Sequence, residues 1–562
     1  MMSQLKLIFF FILISFSISK ENIEIDANGK SAFETLLKIS DNLRKSNKNE
    51  EYTNDMCLKR VNPSTPNAFY FFPNFKAKLY KTGESNNFTG YCFKQNKITL
   101  KTLAFNKTLL EIESSEPTGT FCADVYVVHT SRINHFVTIM TSGTHKVVIK
   151  NLNQDDMDEI RMNSIKLVSF CDGIINTMKS LFITLKMFVG GLGWNPEAIL
   201  PIFRPHIPDY MLKSNLEALK FYMNYEPLRR EDIVTEIDES QIHSGDFLAI
   251  SRIDGIDPMI MIGTGGHIGH SAVCSWIDGK LYVLESQDGP YWPKRGIQRT
   301  LFKDWIKQAH DSEFNVALLP MREEYRKKFN NTKAVEWFEN GIEGQPYGYP
   351  IFLFGWIDTV DSNMPWAITH GHFEFLFTVL EKIYPDVADL MLGQGMNVRL
   401  GTHNLTLSQT VAEAARRNLT FEQLVAIPEK DGSKYKDGHE KYICAVFVAN
   451  FWKNGGLFDG FDIQGQEFTP KDIYQLDIYE KDYKDRRPEA CKKADPDLPY
   501  CQLLGTFQVD LPGYSSIQMY DHMNENCPSL APDYVRCRML IIIFNIYIFR
   551  IIFIIQNIIN IN

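Results

Sequence analysis

GGHIGHSAVCSWIDGKLYVLESQDGP, residues 265–290, carries the strongest fold signal in the chain. Asp278-Gly279 separates two runs of alternating residues, a pattern typical of a β-hairpin with a two-residue turn. Such a turn sets the register of the hairpin, because the residues on either side of it face each other. The cross-strand pairs predicted from it are Ile277–Lys280, Trp276–Leu281, Cys274–Val283 and Ala272–Glu285.

One face of this hairpin is predicted to carry an imidazole and a carboxylate beside an apolar surface. Alternate residues of a strand share a face, which places His270 and Glu285 together at the open end as diagonal neighbours. Diagonal Cβ atoms in a sheet lie about 7–8 Å apart, within reach of a hydrogen bond between these two side chains. The same two residues would also be compatible with an exposed ion pair, worth at most about 1 kcal/mol.

A second informative stretch is KYICAVFVANFWKNGGL, residues 441–457, which contains Cys444 near its start. Its apolar residues recur at helical spacing and Gly455-Gly456 is a suitable stop, so a buried helix is predicted. Cys444 would then stand in the first turn, where the partial positive charge of a helix N-terminus favours a thiolate. Three interpretations are open: a cysteine packed in the core, half of a disulfide, and a nucleophile.

Length and composition describe a globular protein of the secretory pathway. The 562 residues give room for about two to four domains, and a hydrophobic content of 44% is ordinary for a soluble protein. The net charge of -9, without a long basic run, argues against a nucleic-acid partner. Lys6 and the apolar run after it predict a signal peptide over residues 1–19, and hence an extracellular or lysosomal/vacuolar location.

The ten cysteines fit an oxidising compartment, although their pairing cannot be derived from the sequence. Two spacings near the C-terminus suit short disulfides: Cys491–Cys501 and Cys527–Cys537. The four cysteines nearest the N-terminus could form two more: Cys57, Cys92, Cys122 and Cys171. Cys274 and Cys444 would then remain free thiols. Five Asn-x-Ser/Thr sequons predict a glycoprotein: Asn87, Asn106, Asn330, Asn404 and Asn418.

Shifts in pattern along the chain divide it into five parts. After the signal peptide, residues 20–154 alternate aromatic and β-branched residues with turn residues, which predicts a small β-rich domain. A helical segment and a Pro-rich linker are predicted over 155–238. Residues 239–537 form the predicted catalytic domain, with a helical insert at about 356–435. The apolar tail, 538–562, is either a gene-model artefact or an anchor signal, so membrane association stays open.

The order of motifs between residues 245 and 444 resembles that of the circularly permuted papain-like cysteine hydrolases, the YiiX-like branch of the NlpC-like amidase superfamily. In that family the histidine and the carboxylate precede the cysteine, the reverse of papain. The matching positions, in chain order, are Gly245-Asp246, His270, Glu285, Trp305, Pro346-Tyr347, Tyr442 and Cys444. Two features depart from the family pattern: Ile443 separates Tyr442 from Cys444, and Ala445-Val446 stand where Ser and Glu are usual.

This resemblance implies an α+β fold with a permuted papain-like domain, in which an antiparallel sheet packs on the central helix that carries the cysteine. It implies that Cys444 is the nucleophile, His270 the base and Glu285 the residue that orients the base. Tyr347, Tyr442 and His267 are expected to contact the substrate. No cofactor is implied. The expected substrates hold amide or ester bonds and are peptides, peptidoglycan-like molecules or acylated molecules.

Other functions remain open on the sequence alone. The same thioester chemistry would serve an acyltransferase or a thioesterase. A catalytically inactive, secreted binding glycoprotein would instead have Cys444 buried or disulfide-bonded. His267, His270 and Glu285 could also be zinc ligands, although no fourth ligand stands at a characteristic spacing. The sequence makes no prediction of the oligomeric state.

Overall fold

The computed structural model describes residues 74–119, 123–169, 206–207, 209–230, 234–253, 256–289, 292–357 and 370–523. These residues form two compact units of mixed α and β structure with antiparallel sheets. The first unit takes the described residues of Met1–Val189 and Ala367–Val425, and the second takes those of Gly190–Trp366 and Ala426–Asn562. The predicted signal peptide, the apolar tail and the Cys527–Cys537 pair lie outside the described residues.

The secondary structure of the described residues is numbered along the chain. The strands are β1 Asn74–Leu79, β2 Ser85–Phe88, β3 Asn96–Ala104, β4 Lys107–Ser114, β5 Asp124–His129, β6 Asn134–Ile139, β7 Gly143–Lys150, β8 Ile165–Ser169, β9 Phe247–Ser251, β10 His270–Ile277, β11 Lys280–Gln287, β12 Gly296–Leu301, β13 Asn315–Leu319 and β14 Cys501–Leu504. The helices are α1 Gln154–Asn163, α2 Asp209–Met223, α3 Asp257–Thr264, α4 Phe302–Asp311, α5 Glu323–Arg326, α6 Asn331–Glu339, α7 Tyr349–Phe352, α8 Phe354–Ile357, α9 His370–Ile383, α10 Pro385–Ala388, α11 Gln394–Leu400, α12 Leu407–Arg416, α13 Phe421–Val425, α14 Cys444–Asn454, α15 Pro470–Gln475, α16 Tyr483–Arg486 and α17 Glu489–Ala494.

Two four-stranded antiparallel sheets build the first unit, in the orders β1-β8-β5-β6 and β2-β3-β4-β7. Strand β4 of the second sheet alternates buried with exposed or half-exposed residues, because one face of it packs on the core and the other meets solvent. Both sheets contribute to one apolar core that includes Leu100, Ile112, Tyr126 and Leu167. This part of the chain is β-rich, as the sequence predicts.

Strand β8 corrects the prediction of a helical segment starting at residue 155. Helix α1 ends at Asn163, and β8 follows it and pairs with β1 on one side and β5 on the other. Four of the five residues of β8 are buried. A short apolar run buried on both faces lacks the alternation of a half-exposed strand, so periodicity cannot separate it from a buried helix.

The predicted insert is helical and belongs to the first unit. Helices α9 to α13 lie between residues 370 and 425, and α12 packs against α1. Hydrogen bonds join the two parts of this unit: Ser408 Oγ donates to the carbonyl of Ser131 at 3.1 Å, and Phe421 N donates to Asn163 Oδ1 at 2.6 Å. The insert therefore packs against the β-rich part of the first unit.

Buried charges hold helix α9 against the sheet of β5 and β8. Lys166 on β8 and Glu374 on α9 form an ion pair in which both side chains are only 3% exposed. Nε2 of buried His129 lies 4.0 Å from the same carboxylate. Burial, together with the charge of Glu374, raises the pKa of nearby Glu159 to about 7, and burial lowers the pKa of His129 to about 3. The pair thus joins residues that are far apart in the sequence.

The second unit is built on one six-stranded antiparallel sheet with the order β12-β11-β10-β9-β13-β14. All four cross-strand pairs predicted from the Asp278-Gly279 turn are present between β10 and β11. Both turn residues have positive φ, 49° and 73°, as a two-residue hairpin turn requires. One face of the sheet packs on an apolar core that contains Ala272, Cys274 and Trp305.

Helix α14, predicted from the 441–457 stretch, packs against β10 and β11. Trp452 in this helix donates from Nε1 to the carbonyl of Gly245 at 3.0 Å, and its ring contacts Phe247 of β9. The predicted disulfide Cys491–Cys501 is present, and Cys274 and Cys444 are free thiols, as expected. None of the described helices is both long and apolar enough to span a bilayer.

We expect Lys166→Met to lower the free energy of unfolding by about 3–5 kcal/mol, because it leaves the Glu374 carboxylate buried without its partner. The double variant Lys166→Met/Glu374→Leu should recover much of that loss, since it removes both charges. Urea denaturation of the two variants and the wild type measures the difference.

The matched control is Lys78→Met, which removes an exposed lysine 4.0 Å from Glu422 on the same unit. Both side chains of that pair are nearly half exposed, so this variant should change stability by less than about 1 kcal/mol. Equal losses in Lys78→Met and Lys166→Met would contradict the buried ion pair.

Candidate active site

The imidazole of His270 and the carboxylate of Glu285 meet at the open end of the hairpin. His270 is the first residue of β10, and Glu285 lies on β11 opposite Ala272. Both side chains are buried, and the distance from His270 Nε2 to Glu285 Oε2 is 2.9 Å. The hydrogen bond predicted from the hairpin register is therefore present, and burial makes it stronger than an exposed ion pair would be.

Trp305 of α4 holds the other oxygen of this carboxylate. Its Nε1 donates to Glu285 Oε1 at 3.0 Å, so each carboxylate oxygen has one fixed partner. The sequence analysis used Trp305 only as a landmark of the motif order and missed this role. The signal available in the sequence was the residue type, because the N–H of a buried tryptophan usually needs an acceptor.

Cys444 is the first residue of α14 and is only 2% exposed. The N-cap residue, Ile443, has no side-chain acceptor for the first turn of the helix. Phe447 N donates to the carbonyl of Ile443 at 2.8 Å, so the ordinary helical hydrogen bonds begin there. The N–H groups before Phe447 lie at the positive end of the helix, where they favour a negative charge on the sulfur or on a bound oxygen.

His270 connects the thiol with the carboxylate. Its Nε2 bonds Glu285 at 2.9 Å, and the thiol of Cys444 is close enough to act on the charge of the imidazole. Burial on its own lowers the pKa of His270. The interactions of the imidazole with Cys444 and Glu285 outweigh burial and raise this pKa to about 10. The arrangement therefore favours the imidazolium, which is the form that stabilises a neighbouring thiolate.

A small cleft opens beside the thiol of Cys444. Its lining comes from α3, α7, α8, α14, α15 and the segments before α7 and α14. The lining residues are Ile260, Thr264, Tyr347, Phe352, Gly355, Ile443, Cys444, Thr469 and Pro470. Burial, the charge of Cys444 and other nearby charges raise the pKa of Tyr347 well above its usual value, so its hydroxyl stays a neutral donor.

Tyr347 is the one predicted substrate-contact residue among those that line this cleft in the described part of the chain. Tyr442 is buried, and its hydroxyl donates to Glu440 at 3.0 Å. Its carbonyl accepts hydrogen bonds from Ser286 Oγ at 2.8 Å and Gly348 N at 3.0 Å. Tyr442 thus holds the backbone that leads into α14, and its ring takes no part in the cleft.

His267 lies apart from the triad of Cys444, His270 and Glu285. Its ring stacks on that of Tyr225 with 3.6 Å between centroids, and its Nδ1 is 3.3 Å from Asp510 Oδ2. Within the described residues, no group of three or more His, Cys, Asp or Glu side chains is arranged to hold a metal ion.

Glu285→Gln should lower the pKa of His270, because the amide keeps the shape of the carboxylate but removes its charge. Titration of the imidazole by NMR in the folded wild type and the variant measures the change. The wild-type pKa of about 10 lies above the ordinary value of about 6.5. His270 therefore stabilises the fold fully below about pH 6.5, and this contribution is lost as the pH rises through about 10.

The matched control for this titration is Glu339→Gln, which removes a surface carboxylate paired with Arg299. It should leave the His270 titration unchanged. An equal His270 pKa in the wild type and Glu285→Gln would show that the carboxylate does not act on the imidazole.

Trp305→Phe should lower the free energy of unfolding by about 1–3 kcal/mol, because it keeps an aromatic ring but leaves Glu285 Oε1 buried without a donor. Chemical denaturation measures this. Trp276→Phe is the control. Trp276 Nε1 also donates a hydrogen bond, to the carbonyl of Ile242 at 2.7 Å, but its ring is partly exposed. If Trp305→Phe lowered the free energy of unfolding no more than Trp276→Phe, the buried Trp305–Glu285 bond would not stabilise the fold more than a partly exposed one.

Comparison with known proteins identifies no relative of this chain. No family model matches the sequence, no curated protein matches it, and no solved structure matches the fold. The assignment of the site therefore depends on the geometry of Cys444, His270 and Glu285 and on the chemistry of these three side chains.

Proposed function

We propose that the protein is a cysteine hydrolase of permuted papain-like fold that cleaves amide or ester bonds through a thioester on Cys444. The observation that carries the proposal is the buried hydrogen bond between His270 and Glu285, with the imidazole close to Cys444 at the first turn of a buried helix. A cysteine nucleophile requires a base beside it and a group that orients the base. The three side chains supply these three functions.

In the proposed reaction, His270 holds the thiol proton as an imidazolium before the attack, and the thiolate Sγ of Cys444 attacks the substrate carbonyl carbon. The tetrahedral intermediate collapses, the bond to the leaving nitrogen or oxygen breaks, and His270 gives its proton to the leaving group. A water molecule then attacks the thioester and gives a proton to His270. The bond to sulfur breaks, the carboxylic acid leaves, and the imidazolium–thiolate pair is restored.

The negative oxygen of the intermediate needs donors that are already in place. The uncapped N–H groups of the first turn of α14 lie next to the sulfur and suit this task. The neutral hydroxyl of Tyr347, which lines the same cleft, is a second donor for the substrate. Loss of one such donor costs about 2.7–4 kcal/mol in enzymes where it has been measured.

The surroundings of the triad support the permuted papain-like assignment. Helix α14 packs on an antiparallel sheet, and the histidine and the carboxylate come from a hairpin that precedes the cysteine in the chain. The Cys491–Cys501 disulfide fits the secretory pathway, with an extracellular or lysosomal location. The sequon asparagines are exposed, as glycosylation requires: Asn87, Asn106, Asn330, Asn404 and Asn418.

Two other functions keep specific support. An acyltransferase or thioesterase would use the same triad, with an acceptor other than water or with a thioester substrate. A catalytically inactive binding glycoprotein would fit the low exposure of Cys444, which is 2%. Against the inactive protein stands the free thiol, which lies in a cleft and is close to a histidine that favours the charged form.

Iodoacetamide should alkylate Cys444 in the native protein below pH 7, because the imidazolium of His270 stabilises the thiolate. Peptide mass spectrometry across pH 5 to 9 locates the modified residue. Cys274 should stay unmodified, because it is fully buried and burial raises its pKa well above the usual value.

In His270→Ala the alkylation of Cys444 should require a pH near 8.5, the pKa of an ordinary thiol. His310→Ala, which removes an exposed imidazole on α4, is the matched control and should behave as the wild type. The proposed hydrolase function would be wrong if Cys444 were alkylated only after unfolding. It would also be wrong if Cys444 were alkylated at the same rate in His270→Ala as in the wild type.

A further inference from the structure

We propose that the acyl group transferred to Cys444 is apolar and uncharged, so that the substrates are esters or amides of apolar acids. The inference depends on the proposed hydrolase function and adds the substrate class. It follows from the surface that the cleft presents next to the sulfur, where the acyl group must lie while it is attached to the enzyme.

Four of the lining residues are fully apolar: Ile260, Phe352, Ile443 and Pro470. They come from α3, α7, the residue before α14 and the start of α15, so they surround the cleft from several elements. Apolar surface on several sides favours an apolar guest, because contact removes both surfaces from water. A ligand site also needs a few polar groups to orient the reacting bond, which the N-terminus of α14 and Tyr347 provide.

The two threonines in the lining use their hydroxyls elsewhere. Thr264 Oγ1 donates to the carbonyl of Ile260 at 2.8 Å within α3. Thr469 Oγ1 donates to Asp472 Oδ2 at 2.5 Å and accepts from Asp472 N, which caps α15. Thr469 therefore offers mainly its methyl group to the cleft.

The carboxylates nearest the cleft are also occupied within the protein. Asp472 holds the hydroxyl and the N–H of Thr469, and burial raises its pKa. Asp257 accepts from Arg252 N at 2.9 Å, and Asp288 accepts from the hydroxyl of Tyr349. No charged side chain is among the described residues that line the cleft. A charged acyl group would lose its hydration there without gaining a partner.

Gly355 of α8 lets its helix approach Thr469 closely in the lining of the cleft. A Cβ at this position would lie 3.3 Å from Cγ2 of Thr469, closer than an ordinary contact. Gly355 is not in the left-handed region, so larger residues can adopt its backbone conformation. Glycine is unfavourable inside a helix, and this close approach explains its presence here. A larger residue at 355 should displace the Thr469 methyl group and narrow the cleft.

The test uses the full chain and four p-nitrophenyl esters that share one leaving group: acetate, butyrate, octanoate and succinate, the last with a free carboxylate. We expect kcat/KM for butyrate to exceed that for acetate by at least tenfold, as for added methylenes in an apolar site. Octanoate should be at least as good as butyrate, and succinate should be the poorest. A rate for succinate equal to that for butyrate would overturn the inference.

Gly355→Val should reduce kcat/KM for octanoate at least tenfold more than for acetate, because the new side chain narrows the cleft. Lys333→Val, an exposed position on α6, is the control and should keep the wild-type order of esters. An unchanged octanoate-to-acetate ratio in Gly355→Val would contradict the assigned position of the acyl chain.

The variant Cys444→Ala distinguishes a failure of the hydrolase function from a failure of the substrate class. If this variant hydrolyses all four esters as fast as the wild type, the hydrolase function fails, and the substrate class fails with it. If Cys444→Ala is inactive but the wild type shows no preference for apolar chains, the hydrolase stands and only the substrate class is wrong. Mass spectrometry of the Cys444 peptide from the wild type should show the acyl group if the hydrolase function stands and no acyl group if it fails.

Discussion

The candidate site depends on one buried hydrogen bond, between His270 and Glu285. It exists because a two-residue turn sets the register of β10 and β11 and brings the two side chains to the same face at the open end. Burial by itself favours the neutral form of a histidine, and burial together with the charge of Lys166 lowers the pKa of His129 in the first unit. Glu285 and the cysteine reverse that tendency for His270, whose pKa rises despite burial.

Much of the site could be predicted because its signals are local in sequence. A turn of Asp278-Gly279 determines strand pairing over only a few residues, and helical spacing after Cys444 determines which end of α14 the thiol occupies. The local pattern at β8 gave a wrong prediction of helix, because a strand buried on both faces shows no alternation of apolar and polar residues. The β10–β11 hairpin and α14 are also largely buried, but the Asp278-Gly279 turn and the Gly455-Gly456 stop mark them in the sequence.

What sequence reasoning missed are contacts between distant segments. The Trp305–Glu285 bond, the Lys166–Glu374 pair and the role of the Tyr442 backbone each join residues that no short pattern relates. His267, which the sequence analysis assigns to substrate contact, stacks on Tyr225, a residue that lies before the β10–β11 hairpin in the chain. Such partners follow from the packing of whole elements, and one sequence without its fold does not reveal them.

The position of the insert has a consequence for biosynthesis. The chain supplies His270 and Glu285, then forms the helices of residues 370–425 that pack in the first unit, and only afterwards supplies Cys444. Contacts between segments so distant form late in folding, after loop closure. On a ribosome that releases the chain from its N-terminus, Cys444 would meet His270 only when most of the protein has been made. The candidate site would therefore stay incomplete through most of the synthesis of the chain.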